Sequence, residues 1–237
     1  MKCSILMTKT SKIEERLTVA IPALNEETTL AEIVSGCRAF SDDILVIDGH
    51  SSDDTVKVAR SEGARVIFDH RKGKGEAIRT AATHIQREVV VFVDADGSHD
   101  PNDIPRLIQP ILEGKADHVS GSRLLGGSSE LHGGFDECFR LMGSSFITAC
   151  INHRFKVRLS ESQNGFRAIR TSVLKALDLR ENITTIEQEM IIKTLKKGYR
   201  MAEVPTHEQM RKGGYSKVNV RKVAFRYVWS MVKYLYL

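Results

Sequence analysis

Val89-Val90-Val91-Phe92-Val93-Asp94-Ala95-Asp96-Gly97 is the stretch on which the fold turns. Five apolar residues, mostly β-branched, run without a break into two carboxylates spaced i, i+2 and then a glycine. Such a run predicts a strand buried on both faces, as in a parallel sheet. Ligands of open α/β sheets gather beyond the carboxyl ends of their strands. Side chains two apart on a strand share a face, so Asp94 and Asp96 are expected to converge on one cation. Two hard oxygen donors, with room left for water and phosphate, suit Mg2+ or Mn2+ bridging a diphosphate. The competing role is a pair of carboxylates that caps the strand end. Metal binding is preferred because other polar loops fall at the same sheet edge.

Outward from this stretch, strand and helix signals alternate at short intervals. Strands are expected at Leu17–Ile21, Asp43–Ile47, Ala64–Phe68, Val89–Val93 and Asp117–Ser120. Helices are expected between them at Glu27–Phe40, Ser52–Ser61, Gly75–Gln86 and Pro101–Glu113. Asp100 is placed to cap the last of these, with Pro101 at its first position. Repeated β-α units predict an α/β fold, a mostly parallel, doubly wound sheet with right-handed crossovers. After Gly121 the pattern changes. Gly126–Ser129 and Gly133-Gly134 punctuate a stretch expected to be a loop that orders on binding. Helices follow at Phe139–Ile151 and Thr185–Lys197, then a strand at Tyr199–Val204 that ends at Pro205. The segment Arg211–Lys217 is glycine-bearing, basic and expected to move. In the last helix, Val220–Tyr236, residues Val220, Val223, Ala224, Tyr227, Val228, Met231 and Leu235 form one stripe. Phe225, Trp229 and Val232 widen it, and Arg221, Lys222, Arg226 and Lys233 fringe it. That helix suits either a membrane surface or the protein's own sheet.

The 237 residues, 41% hydrophobic and 27% charged, describe an ordinary globular chain of one large domain or a domain with an appendage. Cys3, Cys37, Cys138 and Cys150 stand far apart, which predicts reduced thiols and a cytoplasmic setting. No secretory pattern opens the chain, and no stretch approaches the roughly 20 apolar residues of a spanning helix. The protein is expected to be soluble or peripheral. Net charge is +5, but from Lys196 to Leu237 ten Lys/Arg face only Glu203 and Glu208. Such a tail suits an anionic lipid surface or an anionic substrate, or is a solvated basic face. Nucleic acid is disfavoured, since none of its recognition motifs is present.

Two more polar loops follow expected strands. Pro22-Ala23-Leu24-Asn25-Glu26 offers Glu26 as an acceptor for a sugar or base, with Asn25 to orient it, or is a loop-to-helix cap. In Asp48-Gly49-His50-Ser51-Ser52-Asp53-Asp54-Thr55, Asp48 leaves the sheet edge where a ribose or base is read, while Ser51, Asp53 and Thr55 suit turn and cap roles. Arg71-Lys72-Gly73-Lys74-Gly75 is a basic turn before a helix, able to offer cations and backbone N–H groups to phosphate. It does not match the P-loop pattern, so it lends no support to kinase or ATPase chemistry. His99 and His50 have the donor type for a metal, but loop histidines are more often solvated.

Taken in order, Pro22-x-x-Asn25-Glu26, Asp48-x-x-Ser51-Ser52-Asp53-x-Thr55, Gly73-Lys74-Gly75, Asp94-Ala95-Asp96-Gly97, Gly121-Ser122-Arg123 and Gly165-Phe166-Arg167 resemble the family 2 glycosyltransferases. Glu203-Val204-Pro205 and Arg211-x-x-Gly214-x-Ser216-Lys217 extend the likeness toward the polyprenyl-phosphate branch typified by dolichol-phosphate mannose synthase. The resemblance implies a GT-A fold over residues 17–217, after a tail at 1–16 and before the amphipathic helix at 218–237. Residues 17–120 would form the nucleotide-sugar half and 121–217 the acceptor half. By position, Asn25, Glu26 and Asp48 would hold the nucleoside, with Pro22 and Lys74 also on the donor. Asp94 and Asp96 would hold the metal and diphosphate, Asp96 as a catalytic residue. Arg123 and Arg140 would meet the acceptor phosphate, and Arg211 and Lys217 would close over the donor diphosphate, with Arg123 and Arg211 catalytic alongside Asp96. Five positions depart from the pattern: Gly49 and His50 in the Asp48 loop, Ser98 in place of a glutamine, Glu161 in place of an aspartate, and Asn164 in place of a serine.

The implied reaction is an inverting, metal-dependent transfer of a sugar from GDP-mannose, UDP-glucose or UDP-N-acetylglucosamine to a polyprenyl phosphate. It would take place peripherally at the cytoplasmic face of a membrane, alone, as a homo-oligomer or with an anchoring partner. A phosphate acceptor is already anionic near neutral pH and needs cations rather than a base. A hydroxyl acceptor needs a carboxylate, for which Glu189 and Asp136 stand ready. The third reading is a noncatalytic subunit that binds the nucleotide sugar.

Overall fold

The computed structural model describes residues 15–129, 135–212 and 220–237, with side chains left out of account at 135–139 and 220–223. A seven-stranded sheet forms its centre, made of β1 (Leu17–Ala23), β2 (Asp43–Asp48), β3 (Arg65–Phe68), β4 (Val89–Phe92), β5 (His118–Ser122), β6 (Arg167–Arg170) and β7 (Met201–Pro205). Its order is β3-β2-β1-β4-β6-β5-β7. Strand β6 runs antiparallel to both β4 and β5, and the other pairings are parallel. The expected mostly parallel sheet is therefore present. Sequence reading missed β6, because Arg-Ala-Ile-Arg carries neither an apolar run nor a clean alternation. By inserting itself, β6 separates β5 from β4.

Helices α1 (Leu30–Arg38), α2 (Thr55–Ser61), α3 (Lys74–His84) and α4 (Ile104–Leu112) cross between the early strands. The short α5 (Arg123–Gly126), the long α6 (Phe135–Phe155), α7 (Thr171–Ala176), α8 (Ile186–Lys196) and α9 (Val220–Tyr236) follow. Two helices start later than the sequence suggests, for one shared reason. Residues 25–27 and 51–54 are used to tie two loops together. Ser52 N–H donates to Asn25 Oδ1 (2.8 Å), Asp54 N–H to Glu27 Oε2 (2.8 Å) and Asn25 N–H to Ser51 Oγ (2.9 Å). The predicted Asp100 cap is present, its carboxylate accepting Asn102 N–H at 2.9 Å at the head of a 3-10 turn that leads into α4.

The alternation of each strand explains the two core layers. Val89, Val91 and Val93 join Val19, Ile21, Ile44 and Val46 on one face, under α1 and α4. Val90 and Phe92 join Ala20, Leu45 and Ile47 on the other, under α3 and α7. The continuous valine run is thus buried on both sides. A third cluster joins α6, α8 and α9 through Ile147, Ile151, Ile191, Ile192, Met231, Tyr234 and Leu235. No helix of the described residues is long and apolar enough to cross a membrane.

Candidate active site

The site lies past the carboxyl ends of β1, β2, β4 and β5. Strand β4 ends at Phe92, two residues before Asp94, so the same-face argument for the carboxylates fails. The two carboxylates take different partners. Asp94 turns inward, its Oδ1 2.6 Å from Lys74 Nζ. Asp96 folds back on its own loop, Oδ1 accepting Ser98 N–H (3.0 Å) and Oγ–H (2.6 Å), while Oδ2 lies 3.2 Å from Arg211 Nε. Gly97, with φ of 80°, permits that turn. Burial alone would raise the Asp94 carboxyl, but Lys74 and His99 beside it outweigh burial and hold it down at about 2. Both carboxylates face cations from elsewhere in the chain.

His99 is buried, not solvated as expected for a loop histidine. Its Nδ1 accepts Asp94 N–H (3.2 Å) and its ring stacks on Phe166 at 4.8 Å. Burial lowers its pKa, so the ring is neutral and serves as an acceptor that orients the Asp94 backbone.

Lys74 sits at the first position of α3, between Asp94 and Glu187, its Nζ 2.9 Å from Glu187 Oε1. The N–H groups after it do not point at open space. Gly75 N–H (2.9 Å) and Glu76 N–H (3.3 Å) donate to Asn182 O. The expectation that this turn offers backbone N–H groups to phosphate is corrected for these two donors: a carbonyl of the chain itself already fills the helix end.

Arg123 opens α5 behind a Ser122 cap, with Nη2 2.6 Å from Glu161 and Nη1 2.5 Å from Glu208. Burial works against its charge, and the two carboxylates more than restore it. Arg123 is thus an ion-paired residue as well as a wall of the site, and its charge is already balanced. Glu208 also takes Ser128 Oγ–H at 2.5 Å. Beyond Glu208 the chain runs along the Asp96 loop, Gln209 N–H donating to Ser98 O (2.9 Å) and Lys212 N–H to Asp96 O (3.2 Å). This run carries Arg211 to Asp96. Lys217 lies outside the described residues, as do the side chain of Asp136 and the double glycine at 133–134.

In the loop expected to hold the nucleoside, Asp48 is fully buried, and its oxygens accept Ser51 N–H (2.9 Å) and Oγ–H (2.6 Å). Glu26 N–H donates to Thr55 Oγ1 (2.9 Å), which itself donates to Asp53 Oδ1 (2.5 Å). Ser51, Asp53 and Thr55 therefore have the turn and cap roles expected of them. Pro22 lies in β1 opposite Ile47, beyond the last β1 residue paired with β4, so its missing N–H leaves no gap in that ladder.

A cavity of about 340 Å3 brings part of this set together, while Pro22, Asn25, Glu26, Asp48 and Asp96 are not in its lining. Lys74, Asp94, Arg123, Arg140 and Arg211 line its inner part, while α6 (Met142, Phe146) and α9 (Tyr227, Val228) form an apolar wall. Glu187 lines it too, and sequence reasoning missed that residue in favour of Glu189. Two residues on a helix are about 200° apart, so only one of the pair can face the site. Glu189 faces away, fully buried: it accepts Arg180 and Glu181 N–H at 2.8–3.1 Å and pairs with Lys193 at 2.6 Å. It is a structural carboxylate rather than a base. Glu189→Ala is expected to cost about 3 kcal/mol, because it strands a buried cation and two N–H groups. The check is a lower urea midpoint at unchanged m-value.

Comparison with known proteins fits this geometry. Glycosyl transferase family 2 matches residues 18–178. The chain belongs to that family. A glycosyltransferase of Haloferax volcanii, AglJ, is 30% identical over 199 residues, 83% of this chain and 64% of its own length. The chain thus spans a little under two thirds of that relative. The dolichyl-phosphate hexose transferase of the same organism is 29% identical over 203 residues, covering 83% of this chain and 84% of its own. Among solved structures, glucosyl-3-phosphoglycerate synthase of Mycobacterium tuberculosis, in complex with Mn2+, UDP-glucose and phosphoglyceric acid, superposes with a TM-score of 0.77 at 20% identity. That match covers 95% of this chain and 83% of the other, and the fold is GT-A-like.

Proposed function

We propose that this family 2 glycosyltransferase moves a hexose from a nucleoside-diphosphate donor to a polyprenyl or dolichyl phosphate, with inversion at the anomeric carbon. The observation that carries this reading is the two-ended cavity. Its inner end bears cations and carboxylates, and its wall is apolar. Beside that wall, Met142 and Phe146 of α6 and Phe225, Val228 and Trp229 of α9 are exposed. A water-soluble phosphate acceptor needs no such wall, whereas a lipid phosphate needs both ends. The name of the 29%-identical Haloferax volcanii relative supports the same acceptor class.

The donor enters over the ends of β1 and β2, where Asn25, Glu26 and Asp48 shape the nucleoside end and residues 17–120 act as the donor half. Its diphosphate falls between the Asp94–Asp96 loop and Arg211, with Lys74 on its inner side and Lys217 assigned to the closing segment. Two carboxylates with hard oxygens, one firmly ionised, fit Mg2+ or Mn2+ completed by diphosphate and water. When bound, the cation offsets the negative charge that builds on the departing diphosphate. Arg140 and Arg123 align the acceptor phosphate, and because that group is already anionic no base is required. The exposed apolar rim would hold the protein peripherally at a membrane surface on its cytoplasmic side.

The test is a donor panel of UDP-glucose, UDP-N-acetylglucosamine and GDP-mannose with Mn2+ and a short polyprenyl phosphate, read by mass spectrometry. One donor is expected to give glycosyl lipid phosphate, with little change in rate between pH 6.5 and 8 beyond the phosphate's own titration near about 6. Transfer to 3-phosphoglycerate or a sugar hydroxyl, with none to the lipid, would overturn the reading.

A further inference from the structure

Glu187 has no role in the assignments above, yet it is the side chain on which Lys74 rests. We propose that Glu187 is a positioning residue. It holds the Lys74 ammonium against Asp94, so that the first carboxylate of the Asp-Ala-Asp loop is fixed before donor and metal arrive. This rests on the proposed transfer reaction, and it gives the Gly73-Lys74-Gly75 motif a task other than phosphate binding.

Three features build the arrangement. Lys74 Nζ lies 2.6 Å from Asp94 Oδ1 and 2.9 Å from Glu187 Oε1, and the three side chains are 21%, 26% and 7% exposed. Its ammonium is therefore shared between a carboxylate of the reacting centre and one supplied by α8. The glycines on either side permit this. A Cβ on Gly75 would stand 2.5 Å from Glu181 O, and one on Gly73 2.8 Å from Asn182 O. Only with both side chains absent can the 181–187 segment approach closely enough for Glu187 to reach Lys74. From the far side Gly165 closes the gap, since a Cβ there would lie 2.5 Å from Lys74 Nζ and 2.6 Å from Asp94 Oδ2.

Beneath this layer lies Arg167, fully buried on β6. It donates to Glu187 O (3.1 Å) and to Asn164 O, one carbonyl beside Gly165 and one on the residue that pairs with Lys74. One guanidinium thus ties the backbone of the Gly165 floor to the backbone that carries Glu187. Lys74 has no slack in which to swing, and Asp94 has a fixed partner. A carboxylate held in a single rotamer loses less freedom on binding a cation. Asp94 and Asp96 would hold the metal, and the Lys74 ammonium, kept at 2.6 Å from Asp94, would stay beside the diphosphate.

The test is a double-mutant cycle on Lys74→Met and Glu187→Gln. Mn2+-dependent UDP and GDP affinities are read by calorimetry, and kcat and donor KM with whichever donor the panel selects. Each single variant is expected to lose about 10- to 100-fold in Mn2+-dependent nucleotide affinity or in kcat, the usual cost of removing a supporting partner. The double variant is expected to be no worse than Lys74→Met alone, because Glu187 acts through Lys74. Losses that multiply would overturn the proposal, as would a Glu187→Gln enzyme equal to wild type. Should Glu187→Gln fold poorly, Gly165→Ala replaces it, pressing on the Lys74–Asp94 pair from the cavity side with the same expected loss. The affinities do not depend on the acceptor. If the donor panel shows no transfer while the cycle in nucleotide affinity remains non-additive, the transfer reading fails and this one stands.

Discussion

Stripped of divalent cations by EDTA, the protein is expected to lose at least about a thousandfold in transfer rate, some 4 kcal/mol of transition-state stabilisation. Asp96→Ala is expected to match that loss. The argument is one of charge. Lys74 lies against Asp94 and Glu187, Arg123 against Glu161 and Glu208, and Arg211 against Asp96. These side-chain cations are already countered by carboxylates. A diphosphate brings further negative charge into a partly buried site, where leaving it uncompensated is costly. Asp94 and Asp96 would hold a divalent cation here, which would supply the missing positive charge, and Arg211, now paired with Asp96, would be the chain's own cation nearest the diphosphate. UDP or GDP affinity, measured with and without Mn2+, is therefore expected to fall along with the rate. A chelated enzyme that binds nucleotide and turns over at the original rate would show that Arg211 and Lys74 suffice, and the metal reading would be lost.

Which parts of this site could be read from the chain follows from how local each signal is. The valine run, the Asp-Ala-Asp loop and the cap at Asp100 are local in the chain and fall in the expected order, although the two carboxylates lie past the end of β4 rather than on it. Strand β6 was missed because Arg167 departs from the rule that charges stay outside, and a four-residue strand has no period to detect. Glu208 bridges Arg123 and Ser128 from 80 or more residues away, a partnership that no local spacing encodes. Glu187 was within reach: a helix predicted to start at Thr185 must present 187 and 189 to nearly opposite sides. Choosing between them required knowing which side Lys74 approaches, and that depends on two glycines whose need for close approach appears only in three dimensions.

Deleting Val220–Leu237 is expected to unfold the protein rather than merely release it from a membrane. The sequence left α9 suited to either a bilayer surface or the protein interior, and its two faces divide those tasks. Met231, Tyr234 and Leu235 are buried against α6 and α8, and Tyr227 is tied to α8 by its hydroxyl on Thr184 (2.5 Å) and by its carbonyl, which accepts Gln188 Nε2–H (2.8 Å). Three large buried side chains at about 1.5–3 kcal/mol each approach the whole stability of an ordinary domain, roughly 5–15 kcal/mol. The truncated chain should therefore lose its cooperative thermal transition and its nucleotide binding together. Away from them, Phe225 is 76% and Trp229 53% exposed, with Val228 45% exposed at the edge of the buried stripe, so this surface adds little to folding and is available to lipid. Phe225→Asp with Trp229→Asp is accordingly expected to keep the melting temperature within a few degrees while reducing flotation with anionic vesicles at least about tenfold, through lost apolar contact and charge repulsion. Were that double variant to float as wild type does, the exposed face would have no part in membrane contact. Were the truncated chain to melt normally and bind UDP or GDP, α9 would be an appendage after all, and the burial of Met231 and Leu235 would contribute far less than their area implies.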